Sequence, residues 1–382
     1  MIVEVTGTST RNKGAEMMLL AIREHFADHS DVRLAVNQFF GSYADRSKYG
    51  LLQKVALNGW GRSKLAVNLM PVEFRRSFGL VREDDVDILL DASGFAFGDQ
   101  HPPARTVQFA ERVEAAKRAG KKVILLPQAL GPFRKSAIRD AFARIVDAAD
   151  LVFARDDRSM EHAQTAAGTP DHLRKAPDFT NLVKPDLIED SDTSDRATIV
   201  PNQRMIEKAD TAEDAAAYVP FMARCLKAVQ EAGLDPVLLL HGRDDRELAH
   251  AIMEEVDQET PLHEETDPVG LKRFLGGSHL VVGSRFHALV GALSQGVPAI
   301  GTSWSHKYEM LFEEYECSDM LLSVRADEKQ VRDCVRTATG ERRTELTGRI
   351  REARAQLEEA TTDMWKQVDE EVFRRAPAEQ NE

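Results

Sequence analysis

Short β-branched runs alternate with segments of three-to-four periodicity along nearly the whole chain, and this alternation narrows the fold more than any other feature. In the first half the candidate strands are Ile2–Thr6, Val32–Asn37, Val86–Asp91, Lys122–Leu126 and Leu151–Ala154. Several are apolar throughout, as expected of strands covered by helices on both faces of a parallel sheet. Between them, "NKGAEMMLLAIREHF" and "RTVQFAERVEAAKRAG" carry helical spacing, and Gly120 is placed to end the second. A polar, acidic, proline-bearing stretch follows, "KPDLIEDSDTSDR" at 184–196, and reads as a linker. The alternation then restarts with Ala197–Val200, a helix near Ala212–Ala232, Pro236–Leu240, a helix near Arg243–Asp257, His279–Val282 and Ala299–Thr302. A long charged helix, about Glu341–Phe373, closes the chain. The expectation is α/β: two doubly wound, Rossmann-like domains facing a cleft, at 1–185 and 186–340, with a helix and tail at 341–382.

Length agrees, since 382 residues exceed one ordinary core and suit two of roughly 150–200. No window approaches the roughly 18–20 unbroken apolar residues of a membrane span. The start, "MIVEVTGTSTRNKG", lacks a basic, then apolar, leader and reads as a first strand. Three scattered cysteines (Cys225, Cys317, Cys334) have no metal-ligand spacing, and their odd number argues against a disulfide framework. A reducing cytoplasm is the expected compartment. The net charge of −13 argues against nucleic acid as a partner, because a duplex needs a cationic face. Residues 38–82 oppose the trend, with eight Lys/Arg against Asp45 and Glu73, a net +6, together with seven Phe, Tyr and Trp residues. This basic insertion reads either as a solvated pair of helices or as a surface for an anionic acceptor or the membrane carrying it.

Ligands of open α/β sheets bind beyond the carboxyl ends of the strands, so the loops that follow strands are the places to search. After the first strand, "GTSTRNKGAE" offers a helix start with Asn12 and Lys13 as side-chain donors. Its spacing is neither a P-loop nor a dinucleotide fingerprint. "DASGFAFGDQHPP" brings Ser93, Asp99 and His101, and "LPQALGPFRK" brings Gln128 and Arg134. Arg155, in "FARDDRSMEH", is expected to be structural, paired with nearby carboxylates such as Asp156 or Asp157. In the second half, Asn202 and Arg204 follow one strand, and His241 and Arg243 the next.

The most informative stretch is "LVVGSRFHALVGAL", a strand, a Gly283-Ser284 turn and a helix whose first turn is expected to hold Arg285 and His287. A cation there opposes the helix dipole by about 0.3–1 kcal/mol, a cost accepted most readily where an anion binds. "SHKYEML" then brings His306 and Lys307 from the following strand.

Taken in order, "NKGAE", "LPQALGPF", "FARDDRS" and above all "GSRFHALVGALSQGVPAIG" with "SHKYEML" resemble the polysaccharide pyruvyltransferase family, from residue 12 to about 311. The first loop departs from many relatives in reading Gly14-Ala15-Glu16, and "DASGFAFGDQ" replaces a plainer glycine-rich loop. The resemblance implies a GT-B-like shape and transfer of pyruvate from phosphoenolpyruvate to saccharide hydroxyls as a ketal, in surface polysaccharide or glycan biosynthesis. Phosphoenolpyruvate would be a co-substrate, with no cofactor and no metal. Its carboxylate and phosphate call for cations and oriented N–H donors. His287 is expected as acid/base or phosphate partner, and Arg285 as the grip on carboxylate or phosphate. Arg204, Lys307, Ser284 and His241 would complete the donor side. Asn12, Lys13, Glu16, Ser93, Asp99, Gln128 and Arg134 would line the acceptor side or the cleft, Asn12 and Lys13 closing over donor or acceptor, and the acceptor is a saccharide that a lipid could carry. The enzyme would then be cytoplasmic or work at the inner face of the membrane. His101, His241 and His306 stay open as proton carriers. Two rivals remain: a GT-B glycosyltransferase using a nucleotide-sugar, and a non-catalytic saccharide-binding relative. Against the first, no acid follows the helix start until Glu309.

Overall fold

The computed structural model describes residues 1–55, 70–185, 195–240 and 245–374. The chain forms two compact units, one of Met1–Phe179 with Ala360–Glu382 and the other Thr180–Glu359. Most of the linker candidate lies outside the described residues.

The first unit is built on an eight-stranded sheet ordered β4-β3-β2-β1-β5-β6-β7-β8. The strands are β1 (Ile2–Thr6), β2 (Arg33–Asn37), β3 (Leu52–Lys54), β4 (Leu80–Val81), β5 (Ile88–Asp91), β6 (Lys122–Gln128), β7 (Leu151–Ala154) and β8 (Leu173–Lys175). Every pairing is parallel. The chain steps outward from β1 to β4 and then resumes on the other side of β1 at β5, so the sheet reverses its winding between β1 and β5. Central strands such as β5 and β7 are buried at every position. The exception is Glu4, in the middle of β1 and 1% exposed, whose carboxylate takes Lys54 at 2.7 Å and Arg112 at 2.6 Å. Lys54 also reaches Glu83 at 2.6 Å, which meets Lys121 at 2.8 Å. Burial alone would raise the Glu83 pKa, but the two ammonium groups outweigh it and hold the carboxyl at about 2.

This network draws on the basic insertion. Lys54 is spent on Glu4 and Glu83, while Arg75 and Arg82 both bind Asp85, at 2.7 and 2.9 Å. Two short helices, Tyr43–Lys48 and Val72–Ser77, bury no residue. Phe39, Tyr43, Val72, Phe74 and Phe78 are exposed. Trp60, Arg62 and Lys64 lie outside the described residues.

The second unit carries a five-stranded sheet ordered β11-β10-β9-β12-β13. Its strands are β9 (Arg196–Val200), β10 (Asp235–Leu240), β11 (Leu262–Glu264), β12 (Leu280–Gly283) and β13 (Ala299–Gly301), again all parallel. Winding reverses here between β9 and β12. Small residues bring helices close: a Cβ on Gly301 would stand 2.5 Å from the Phe312 ring. The helix Arg343–Phe373 has 31 residues and is about 46 Å long. Leu346, Ile350 and Ala353, on its first part, join the second unit's core. Its last part belongs to the first unit, where Trp365 stacks on His25 with 4.0 Å between centroids and Asp369 bonds His25 Nε2 at 2.8 Å. Among the described residues no helix is long and apolar enough to cross a membrane, and the three cysteines are free and buried.

Candidate functional site

Because β9, β12 and β13 are adjacent and parallel, the loops Pro201–Arg204, Ser284–His287 and Thr302–Lys307 emerge side by side at their carboxyl ends. The turn after β12 is held from below. Ser284 is fully buried; its carbonyl accepts from Asn202 Nδ2 at 2.7 Å and Tyr308 Oη at 2.9 Å. Its hydroxyl bonds Tyr218 Oη, which also accepts from the Asn202 N–H at 2.9 Å. Burial pushes the Tyr218 phenol far above its ordinary pKa, so it stays protonated. Ser284, expected on the donor, is here the keystone of the turn and offers no exposed atom.

Arg285 is the N-cap residue with extended backbone (φ −101°, ψ 120°), and the helix Phe286–Leu293 begins after it. Only His287 of the pair therefore falls in the first turn. An extended residue at this point points its side chain back across β9: Arg285 Nε donates to the Pro201 carbonyl at 3.2 Å and Nη2 to the Asp245 carboxylate. Asp245 is 0% exposed, starts the helix Asp245–Val256, and was not among the expected residues.

His287 is half-buried, edge-on to the Phe286 ring at 5.4 Å. Lys307 lies near the start of the helix His306–Glu314. Its Nζ is 5.1 Å from the Phe286 ring, 5.1 Å from Trp304 and 5.4 Å from Tyr308. A ring face attracts a cation, so these three aromatic side chains help to hold the Lys307 ammonium beside the Phe286–Leu293 helix. Arg204 sits at the edge, its side chain 60% exposed and paired with Glu207 at 2.6 Å. His241 and Arg243 lie outside the described residues.

In the first unit a second constellation lies where the winding reverses. Asp91, at the end of β5 and 1% exposed, accepts from Thr6 Oγ1 at 2.8 Å, Ser93 Oγ at 2.7 Å and Gln128 Nε2 at 3.1 Å. The structure thus brings the expected Ser93 and Gln128 together through a carboxylate that sequence reasoning missed. Gly7 lets the β1 loop pass over them: its φ is +80°, and a Cβ there would stand 2.4 Å from Ser93.

The other first-unit candidates are tied locally. Asn12 is an exposed N-cap accepting from the Gly14 N–H at 3.0 Å. Lys13 pairs with Glu16 at 2.8 Å, and the buried Glu16 also accepts from Tyr49 Oη. Asp99 accepts from the backbone N–H of Arg134 at 2.9 Å and of Lys135 at 3.1 Å, joining two loops. His101 Nε2 lies 3.0 Å from the Phe95 carbonyl. Arg155 is buried and pairs with a carboxylate farther along the chain, Asp178, at 3.4 Å. Asp156 is engaged as the N-cap of the helix Asp157–Ala167, and Asp157 pairs with Lys175 at 2.6 Å.

Comparison with known proteins matches the sequence to a family. The family model for polysaccharide pyruvyl transferase covers residues 12–306. The amylovoran biosynthesis protein AmsJ of Erwinia amylovora is 22% identical over 290 residues, which is 70% of this chain and 68% of that protein. In fold, the chain is similar to Anabaena Alr3699/HepE in complex with UDP-glucose, with a TM-score of 0.60, 13% identity, and 98% of this chain and 99% of that one covered. It is also similar to a UDP complex of MnaA from S. aureus, with a TM-score of 0.59, 15% identity, and 100% and 99% covered. These likenesses show the shared GT-B-like α/β fold, and the family match across most of the length decides the membership: the chain belongs to the polysaccharide pyruvyl transferase family.

Proposed function

We propose that the protein transfers pyruvate from phosphoenolpyruvate to two hydroxyls of a saccharide, forming a ketal and releasing phosphate during polysaccharide biosynthesis. The observation that carries this reading is His287 in the first turn of the Phe286–Leu293 helix, which Arg285 caps and against whose Phe286 ring the Lys307 ammonium lies. A dipolar helix start, a guanidinium and an ammonium suit a small donor bearing both carboxylate and phosphate. In the reaction the donor's methylene carbon gains a proton and becomes a methyl group. A first sugar hydroxyl adds to C2 and gives up its proton, and the C2–O bond to phosphate breaks. A second hydroxyl then adds to C2, loses its proton and closes the ketal. One hydroxyl proton balances the methyl group and the other leaves with phosphate or solvent. His287 is assigned the proton transfer, since an imidazole titrates near neutral pH and needs no metal. Phosphoenolpyruvate is a cytoplasmic metabolite, so the reading carries a cytoplasmic location, and the acceptor is a free or lipid-linked saccharide.

The test is phosphate release from phosphoenolpyruvate with candidate saccharides, run beside UDP release from nucleotide-sugars. A rival reading has the same helix start hold a diphosphate, as the UDP-bound fold relatives prompt; turnover of a nucleotide-sugar without turnover of phosphoenolpyruvate would establish it. His287→Ala is expected to lower turnover about 10²–10⁴-fold while the thermal midpoint stays near wild type. A large fall in the midpoint instead would mark His287 as a packing residue.

A further inference from the structure

Arg285 has five N–H donors, and two are committed within the second unit: Nε to the Pro201 carbonyl and one Nη2 hydrogen to Asp245. Both lie on the Nε/Nη2 edge of the planar guanidinium. The terminal edge, with both Nη1 hydrogens and the second on Nη2, is engaged by no side chain or carbonyl among the described residues, and the side chain keeps 22% of its surface exposed. A guanidinium on four rotatable bonds would otherwise sample many orientations. Here a carbonyl and a fully buried carboxylate fix one edge and leave the other as a two-pronged donor.

We infer that Asp245 is a positioning residue: it orients Arg285 so that the terminal fork receives a two-oxygen face, carboxylate or phosphate, of the donor anion. This deepens the proposed function and rests on its assignment of Arg285 to the donor side. The carboxylate does not touch the substrate. It acts by sparing the anion the cost of ordering a mobile cation.

The test titrates wild type, Asp245→Asn, Arg285→Lys and the double variant with phosphoenolpyruvate, inorganic phosphate and UDP by calorimetry. Donor KM and kcat are measured alongside for whichever donor turns over. Asp245→Asn keeps the shape of the side chain but not its charge, and is expected to weaken the anion that wild type binds by about tenfold or more, the loss falling on KM rather than kcat. Arg285→Lys, which keeps the charge and removes the fork, is expected to weaken it comparably. The double variant should be no worse than Arg285→Lys alone. Should Asp245→Asn not fold, Arg285→Lys still reads the fork, and unchanged anion affinity in it overturns the inference. Unchanged affinity in Asp245→Asn, fully additive losses, or no anion bound by wild type also overturn it. If wild type binds UDP and not phosphoenolpyruvate, the proposed function fails, while the effect of Asp245→Asn on UDP still decides the role of Asp245.

Discussion

A single phenol shows how much of this site lies beneath its surface. Tyr218 Oη joins the Asn202 backbone to the Ser284 hydroxyl, and Asn202 in turn holds the Ser284 carbonyl. Tyr218→Phe would leave a buried N–H and a buried hydroxyl short of a partner, with an expected loss of about 1–3 kcal/mol measurable by urea unfolding. The same variant should also slow turnover, because the loosened turn carries Arg285 and His287. That Arg285, His287 and Lys307 stand just beyond strands, at or next to helix starts, was legible in the sequence. Their organisers were not. Asp245 acts on a residue 40 positions away, and Asp91 gathers Thr6 from 85 positions away and Gln128 from 37. An acid in a polar loop looks the same in sequence whether it faces water or braces a strand end; only the sheet order decides. Ser284 shows the converse, since a serine in a Gly-Ser turn reads as a ligand until the buried phenol beneath it is seen.

Among the elements, legibility followed length and burial. β1 and β7 matched their expected bounds, and β5, β9, β10 and β12 came within a residue or two, because apolar, β-branched runs have few other uses. Four of the five two- and three-residue strands, β3, β4, β8 and β11, carry Lys, Arg, Gln, His or Glu, or are too short to show a period, and escaped notice, whereas the wholly apolar or small β13 did not. The last part of the C-terminal helix raises a separate question of pH. His25, stacked on Trp365, has its pKa lowered, chiefly by burial, against the hydrogen bond and charge of Asp369 and with His29 nearby. A histidine held neutral in the folded state stabilises it above the unfolded pKa near 6.5. That contribution is lost as pH falls below this value, because the unfolded chain takes up the proton more readily. The thermal midpoint should therefore drop between about pH 7 and about pH 5.5, and the drop should be shallower in His25→Gln.

For the whole molecule, the division into Met1–Phe179 with Ala360–Glu382, and Thr180–Glu359, was only partly foreseeable. Where one α/β pattern ends and the next begins can be read from composition, whereas the unit that claims each part of a long amphipathic helix depends on three-dimensional packing. The first unit's claim is substantial: Met364, Trp365, Val368 and Val372 are all buried. At about 1.5–3 kcal/mol for each such side chain, their sum is comparable to the roughly 5–15 kcal/mol that stabilises a typical domain. Ending the chain at Glu359 should therefore speed amide hydrogen exchange across β1–β8 far more than across β9–β13, as read by mass spectrometry. Equal acceleration in both sheets would contradict the division. The arrangement also sets an order of events during translation. The eight strands of the first sheet leave the ribosome about 180 residues before the segment that completes their unit. At about 5–20 residues per second this is a wait of roughly ten to forty seconds. Throughout that interval the first unit shows the apolar surface meant for Trp365 and its neighbours, which makes the nascent first unit a natural client of a chaperone.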